Sequence, residues 1–175
     1  DALPIWCNDL CRQLCREVPP LPEAAELVGK LGQDHRSYPT RVLLLGYAAA
    51  AAFFTAFYGG TLLDTLCGGL CGLAVGVWML WASPRLRFNN LFQTLIGAAI
   101  ASLLALVLVH MKIGGQLEAI TIGTLMVLVP GMALTNAMRE IMVGDIFSGL
   151  SRTAESILTA TAIALGVMVS LAIGN

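Results

Sequence analysis

The chain has 175 residues, of which 57% are hydrophobic and 12% are charged, and its mean hydropathy is +0.80. Soluble domains are about 45–50% apolar and about 25% charged, so this composition excludes an ordinary soluble domain and indicates a membrane protein. A net charge of -1 and a pI near 6.1 give no basic excess, which argues against nucleic-acid binding.

Residues 1–40 are the part of the chain that is polar enough to lie outside the hydrocarbon. An apolar stripe over residues 7–18 predicts an amphipathic helix that ends at Pro19-Pro20. A second short helix is predicted over residues 22–32. We expect both to be cytoplasmic, juxtamembrane helices that form the tail of a further upstream region.

The cysteines recur at i, i+4 spacing among apolar neighbours, which favours packing over a disulfide framework. They are Cys7, Cys11, Cys15, Cys67 and Cys71. The first three supply thiols without an adjacent histidine, so zinc binding is the weaker interpretation, and we expect no metal and no cofactor. No nucleophile–base pair and no phosphate-binding loop is visible, which argues against an enzyme.

Five apolar segments follow, and each is close to the roughly 17–25 residues that cross a bilayer. They cover residues 42–58, 61–82, 91–109, 120–143 and 156–173. The prediction is an all-α integral membrane protein with a five-span transport domain over residues 41–175. All basic residues except Lys112 would then lie on one side, which predicts a cytoplasmic N-terminus and an outside C-terminus.

The second span carries Asp64, Gly68, Gly72 and Gly76 at four-residue intervals. The glycines give one helix edge almost no side chains, so a neighbouring backbone can approach closely. Asp64 has two interpretations. A carboxylate in the first turn of a helix stabilises the helix dipole, whereas a carboxylate buried in a membrane can bind and release a proton and couple transport to the proton gradient.

The fourth span is broken by Pro130-Gly131, because a proline removes a helical hydrogen bond and frees a carbonyl one turn back. Such backbone is tolerated in hydrocarbon only against protein or a wet cavity, so we expect a polar cavity there. A rise of about 1.5 Å per residue from Glu118 puts Pro130 about 18 Å deep in a layer of roughly 30 Å. Secondary transporters place half-helix ends at such depths, where free N–H groups attract carboxylates. A packing kink is the alternative.

Three polar residues follow the break. The hydroxyl of Thr135 and the amide of Asn136 can replace water around an ammonium or carboxylate, although interhelical hydrogen bonds explain them equally well. Arg139 suits bidentate carboxylate binding, but its predicted position near the inner boundary favours contact with headgroups.

Three charged residues lie at the start of the last predicted span. Asp145 follows Gly144 in a short turn, and an N-cap role for it is favoured over substrate contact. Arg152 and Glu155 can pair at a cytoplasmic mouth or be solvated. We assign Asp145, Arg152 and Glu155 to a gate at that mouth.

The fourth and fifth spans resemble the signature of the threonine/serine exporter family (ThrE) and its YjjP-like five-span members. The resemblance is carried by Leu128-Val129-Pro130-Gly131, Leu134-Thr135-Asn136-Ala137, Arg139-Glu140, Gly144-Asp145, Ser148-Gly149 and Arg152. It extends upstream to Phe57-Tyr58-Gly59-Gly60 with Asp64 and to Asn89-Asn90, and so covers essentially the whole chain. Glu140 departs from the aspartate that is more usual there and keeps the charge.

The resemblance implies export of small carboxylate-bearing metabolites from the bacterial cytoplasm, either threonine and serine or a dicarboxylate such as succinate. It also implies an inner-membrane protein that forms a homo-oligomer or works with a smaller membrane subunit of the same family. We therefore predict a secondary-active, proton-coupled exporter subunit. Its predicted substrate contacts are Pro130, Gly131, Thr135, Asn136 and Arg139, and its predicted proton site is Asp64. A passive channel or a structural subunit of a larger complex is the alternative.

Overall fold

The computed structural model describes residues 39–82 and 89–174, together with positions 8, 10–12, 15, 16 and 29. The chain divides into two compact units, Asp1–Pro39 and Thr40–Asn175. The two amphipathic helices predicted within residues 1–40 lie almost entirely outside the described residues, and so does Cys7 of the cysteine stripe. They stay predictions.

The second unit is built from helices, and no strand occurs within residues 39–82 and 89–174. In chain order the helices are α1 (Thr40–Phe57), α2 (Leu62–Val77, continued by a π-helical turn over Trp78–Ala82), α3 (Asn90–His110), α4 (Leu117–Leu125), α5 (Gly131–Val143) and α6 (Ile146–Gly174). The all-α prediction is confirmed for these residues.

Four of the helices are long and apolar enough to cross a membrane, namely α1, α2 with its π turn, α3 and α6. The chain is therefore a membrane protein with several apolar helices. In contrast, α4 has 9 residues and α5 has 13, so neither spans a bilayer alone. Five crossings are not confirmed, because the predicted fourth span consists of these two short helices.

The break predicted at Pro130-Gly131 is present in the structure. Helix α4 ends at Leu125, and α5 begins at Gly131. Between them the backbone turns tightly, since the Leu128 N–H donates to the carbonyl of Leu125 at 2.8 Å. Pro130 then takes φ -79° and ψ 51°, outside the helical region. The chain therefore unwinds before the proline and restarts as a helix directly after it.

The glycine edge of α2 packs on α1, as the four-residue spacing predicted. A Cβ atom at Gly72 would lie 2.5 Å from the Cβ of Ala51 and 2.7 Å from the carbonyl oxygen of Tyr47. Any larger residue would force the two helices apart, and glycine is therefore required at this crossing.

Helix α4 is enclosed by α1, α2 and α3. Its Ile120 is fully buried in a cluster with Cys67, Cys71 and Ala105. The two cysteines of this cluster therefore act as small apolar side chains, in agreement with the packing interpretation of their spacing.

Helix α6 begins at Ile146, whereas the apolar span was predicted to begin at residue 156. Gly144 ends α5 with a left-handed φ of 103°. The side chain of Asp145 then accepts a hydrogen bond from the Ser148 N–H at 3.3 Å, which caps α6. Hydropathy detects the apolar part of a helix and not the polar turns before it, which explains the late predicted start.

Helices α3 and α6 run in parallel. Gly166 packs against the backbone at Leu95, and further along both helices the hydroxyls of Ser102 and Ser170 are hydrogen-bonded. In this register the first turns of α6 extend beyond the N-terminus of α3, and α5 packs on them through Ala137 and Gly149. The bundle therefore has two different ends. We call them the Asp64 end, where α2 begins, and the cavity end, where α3 begins.

Candidate functional site

A cavity of about 480 Å³ lies at the cavity end, next to the helix break. It is lined by Tyr47 of α1, Met79 of the π turn, Asn90 and Thr94 of α3, Val127, Leu128 and Pro130 of the α4–α5 connection, Ala133 of α5, and Arg152, Glu155, Ser156 and Thr159 of α6. Ligand pockets are typically about 300–1,000 Å³, so this volume suits a small metabolite. The polar cavity expected beside Pro130 is present.

The polar wall of the cavity comes mainly from one face of α6. Arg152, Glu155, Ser156 and Thr159 are spaced i, i+3, i+4 and i+7, which places them on one side of a helix. Ser156 and Thr159 are buried although both are polar. Polar side chains inside a membrane helix bundle are costly unless they are paired or face water, and here they face the cavity.

Arg152 also joins α6 to α5. Its Nε lies 3.2 Å from Oε1 of Glu140, and Oε2 of Glu140 accepts a hydrogen bond from the Ser148 hydroxyl at 3.0 Å. Arg152 thus pairs with Glu140 rather than with Glu155. A guanidinium has five N–H donors, so the remaining ones stay available to a carboxylate in the cavity.

The start of α5 adds backbone donors to the same wall. The Leu134 N–H donates to the Pro130 carbonyl at 3.0 Å and closes the first turn, which begins beside the cavity. N–H groups in the first turn of a helix have no helical partner, and the helix dipole there favours negative charge. The Gly131 N–H already donates to the Val129 carbonyl at 2.8 Å, so the N–H groups that can attract a carboxylate are those of Met132 and Ala133, and Ala133 lines the cavity.

The helix break lies beside the first half of α3, and its depth in a bilayer stays a prediction. Cδ1 of Leu128 lies 3.7 Å from the position that a Cβ atom at Gly97 would occupy. Pro130 lines the cavity together with Asn90, the first residue of α3.

Thr135, Asn136 and Arg139 lie on α5 but do not line the cavity. All three are exposed, and the hydroxyl of Thr135 donates to the Gly131 carbonyl at 2.9 Å. Ala137 is the buried residue of α5 and forms its contact with α6. The structure therefore groups Pro130, Arg152 and Glu155 at the cavity and places the other three on the opposite, outward face.

Asp64 lies at the other end of the bundle and is fully buried. Its Oδ2 accepts hydrogen bonds from the N–H of Thr61 at 3.0 Å and from the Thr61 hydroxyl at 2.8 Å. The Asp64 N–H in turn donates to Oγ1 of Thr61 at 3.3 Å, which together with the Thr61 N–H bond forms a capping box. Its Oδ1 accepts from the N–H groups of Gly115 at 2.6 Å and Gln116 at 3.2 Å. The carboxylate thus ties the start of α2 to the α3–α4 connection.

Four lining residues that carry a hydroxyl group had no part in the predicted site: Tyr47, Thr94, Ser156 and Thr159. A signal for three of them exists in the sequence. Thr94 follows Asn90 at i+4, and the polar face of α6 repeats with helical spacing through an otherwise apolar helix. Tyr47 carries no such signal, since only the close α1–α2 crossing brings it to the cavity.

Comparison with known proteins gives one consistent result. Residues 6–174 match the family described as "Putative threonine/serine exporter". The chain is also similar to a protein of Mycobacterium tuberculosis (strain ATCC 25618 / H37Rv) named "Probable threonine/serine exporter", with 26% identity over 151 residues. The match covers 85% of this chain and 28% of that relative, so the chain spans well under half of the relative's length. No solved structure matches the chain.

Proposed function

We propose that this chain, which belongs to the threonine/serine exporter family, is the substrate-binding part of a secondary-active exporter of small carboxylate-bearing metabolites. Threonine and serine are the first candidates, in accord with the family's description. The observation that carries the proposal is the polar cavity beside the helix break at Pro130.

Substrate carboxylate binds between the start of α5 and Arg152. The helix terminus offers backbone N–H groups, and Arg152 offers the guanidinium donors that Glu140 does not use. Both groups border one cavity, so a single carboxylate can be held from two sides. Binding at a half-helix end is the arrangement that many secondary transporters use for anionic substrate groups.

Transport proceeds by alternating access. The cavity end is the cytoplasmic end in the topology that the basic residues predict, and it receives the substrate. At the Asp64 end, the bonds from Asp64 to Thr61, Gly115 and Gln116 close the bundle. Export then requires those bonds to open while the α5–α6 pair closes the cavity, with Asp145, Arg152 and Glu155 at the moving mouth.

Contact of substrate with Thr135, Asn136 and Arg139 belongs to a later step of this cycle. The three side chains are exposed in the present structure, whereas α5 packs mainly on one partner, α6. A rotation of α5 about that contact would carry its outward face toward the substrate path. These residues then act during passage and not in the first binding step.

Proton coupling is assigned to Asp64. A buried carboxylate in a membrane span is a candidate proton site, and protonation would weaken the four hydrogen bonds that it accepts. Opening of the Asp64 end would thereby be linked to proton uptake. Asp64→Asn tests this link, because loss of the pH dependence of export is expected and an unchanged dependence would remove Asp64 from coupling.

The surroundings of the bundle follow from its exposed apolar side chains. Phe53 and Leu62 on the outer faces of α1 and α2 are 77% and 86% exposed, as expected for contact with lipid. Met142 and Phe147, at the α5–α6 turn, are 85% and 89% exposed although the first turns of α6 extend beyond α3. We assign that turn to contact with a second copy or with a smaller membrane subunit of the family.

Counterflow in proteoliposomes tests the function. Proteoliposomes that contain the full-length protein, with and without a smaller family subunit, are loaded with unlabelled threonine. Uptake of labelled threonine, serine or succinate from outside is then followed. Trans-stimulated uptake of threonine and serine is expected. Flux without trans-stimulation would indicate a channel, and no flux would indicate a structural subunit. Uptake of labelled succinate alone, without uptake of threonine or serine, would move the substrate class to dicarboxylates.

A further inference from the structure

Three hydroxyl groups of the cavity donate their protons to the backbone and keep their lone pairs as acceptors. Thr94, Ser156 and Thr159 each donate to a carbonyl of their own helix at 2.9 Å, namely those of Asn90, Arg152 and Glu155. A hydroxyl has one proton and two acceptor lone pairs. With its proton bound to the backbone, each hydroxyl offers only lone pairs to a ligand.

Of the two charged residues that line the cavity, Arg152 has an ionic partner and Glu155 does not within the described residues. The guanidinium of Arg152 already pairs with Glu140 at 3.2 Å. The carboxylate of Glu155, one turn along the same face, has no ion pair within the described part of the chain. Glu155 is therefore the charged lining residue without an ionic partner among the described residues. A dicarboxylate would bring a second negative charge against it, whereas a zwitterion would bring an ammonium.

From this arrangement we infer that Glu155 is the specificity-determining residue that binds the substrate's ammonium group and so selects α-amino acids over dicarboxylates. The inference rests on the proposed function, in which Arg152 and the α5 terminus hold the carboxylate. Side chains three residues apart on a helix have Cβ atoms about 5–6 Å apart, so Arg152 and Glu155 can hold the adjacent charged groups of one amino acid. The lone pairs of Ser156 and Thr159 complete the acceptor set around the ammonium.

The test compares two ligands on two variants of the full chain. Binding of threonine and of 3-hydroxybutyrate, which is threonine without its amino group, is measured by calorimetry in detergent. Glu155→Gln removes the charge and keeps the shape. Glu118→Gln is the matched control, because Glu118 is also an exposed helical glutamate but lies in the first turn of α4, outside the cavity lining.

We expect Glu155→Gln to weaken threonine binding about ten-fold or more, since a charge-assisted hydrogen bond is lost, and to leave 3-hydroxybutyrate binding unchanged or stronger, since that ligand is an anion without an ammonium group. Glu118→Gln should change neither. Unchanged threonine binding in Glu155→Gln would overturn the inference, and so would an equal loss for both ligands, which would indicate a structural role. Failure of the wild-type protein to bind threonine would instead overturn the proposed function and, with it, this assignment.

Discussion

The two ends of the bundle differ in how their polar groups are satisfied. At the Asp64 end, one fully buried carboxylate accepts four hydrogen bonds, and two of them come from the α3–α4 connection. At the cavity end, Arg152 keeps unused donors and Glu155 has no described ion pair, and both border open space. Buried polar groups are normally satisfied within the protein. Asp64 therefore closes its end of the structure, whereas the exposed charged groups of Arg152 and Glu155 remain accessible to a ligand.

Asp64→Ala gives the largest expected effect, because it leaves the N–H groups of Gly115 and Gln116 without the carboxylate that accepts from them. Each hydrogen bond to a charged group contributes about 1.5–3 kcal/mol, so we expect a loss of several kcal/mol in unfolding free energy. Thermal unfolding of detergent-solubilised protein measures it. Asp64→Asn, which keeps the size and one acceptor oxygen, should lose clearly less. Equal stability of Asp64→Ala and wild type would show that this end is not held by the carboxylate.

Arg152→Ala and Arg139→Ala separate the cavity from the outward face of α5. Arg152 lines the cavity and Arg139 does not, although both are arginines on the α5–α6 pair. Loss of a charge-assisted contact to a carboxylate should weaken threonine binding about ten-fold or more in Arg152→Ala and leave it within about two-fold in Arg139→Ala. Calorimetric titration measures both values. The reverse ranking would move the carboxylate site to the face predicted from the sequence.

Loss of the Arg152–Glu140 ion pair alone should affect threonine binding less than loss of Arg152. Glu140→Gln removes the charge from a contact whose side chains are 56% and 29% exposed, for Arg152 and Glu140. Ion pairs with such access to solvent contribute about 0–1 kcal/mol, so a small fall in melting temperature is expected, with threonine binding retained. A loss of binding as large as in Arg152→Ala would mean that Glu140 positions the guanidinium.

Much of the difference between the Asp64 end and the cavity end can be derived from the sequence. The remainder depends on the register in which the helices pack. The small-residue edge of α2, the break at Pro130 and the cap at Asp145 follow from local chemistry, and the structure contains all three. The cavity was expected beside Pro130, and Pro130, Arg152 and Glu155 of its lining were among the predicted site residues, whereas the other lining residues were not. Ser156 and Thr159 were missed because they lie within a span that is apolar on average. The polar residues nearest the break in sequence, Thr135 and Asn136, face outward.

Two threonines of α6 test the cavity wall with a matched pair. Thr159 and Thr161 each donate to the carbonyl four residues earlier at 2.9 Å, but Thr159 is buried at the cavity and Thr161 is exposed. Valine in place of Thr159 removes an acceptor from the ligand and should weaken threonine binding a few-fold, consistent with about 1 kcal/mol for a neutral hydrogen bond. Thr161→Val should have no effect. Identical binding by the two variants would argue against hydroxyl contact in the cavity.

Asn136→Ala should have the smallest effect on binding. Its side chain is exposed and lies outside the cavity lining, so a Kd within about two-fold of wild type is expected. Export, measured in cells with normally inserted protein, should still fall if the outward face of α5 meets the substrate later in the cycle. Wild-type export would remove Asn136 from the mechanism.

Protection of a cavity cysteine is the most direct test of where the substrate binds. Ser156→Cys places a thiol in the cavity wall, and Ser151→Cys places one on an exposed position of α6 outside it. Cys7, Cys11 and Cys15 are replaced by serine, and reaction with a hydrophilic maleimide is followed with and without threonine. We expect threonine to slow the labelling of the cysteine at position 156 and to leave the labelling rate at position 151 unchanged. Equal labelling of Ser156→Cys with and without threonine, in protein that still binds threonine, would contradict this expectation.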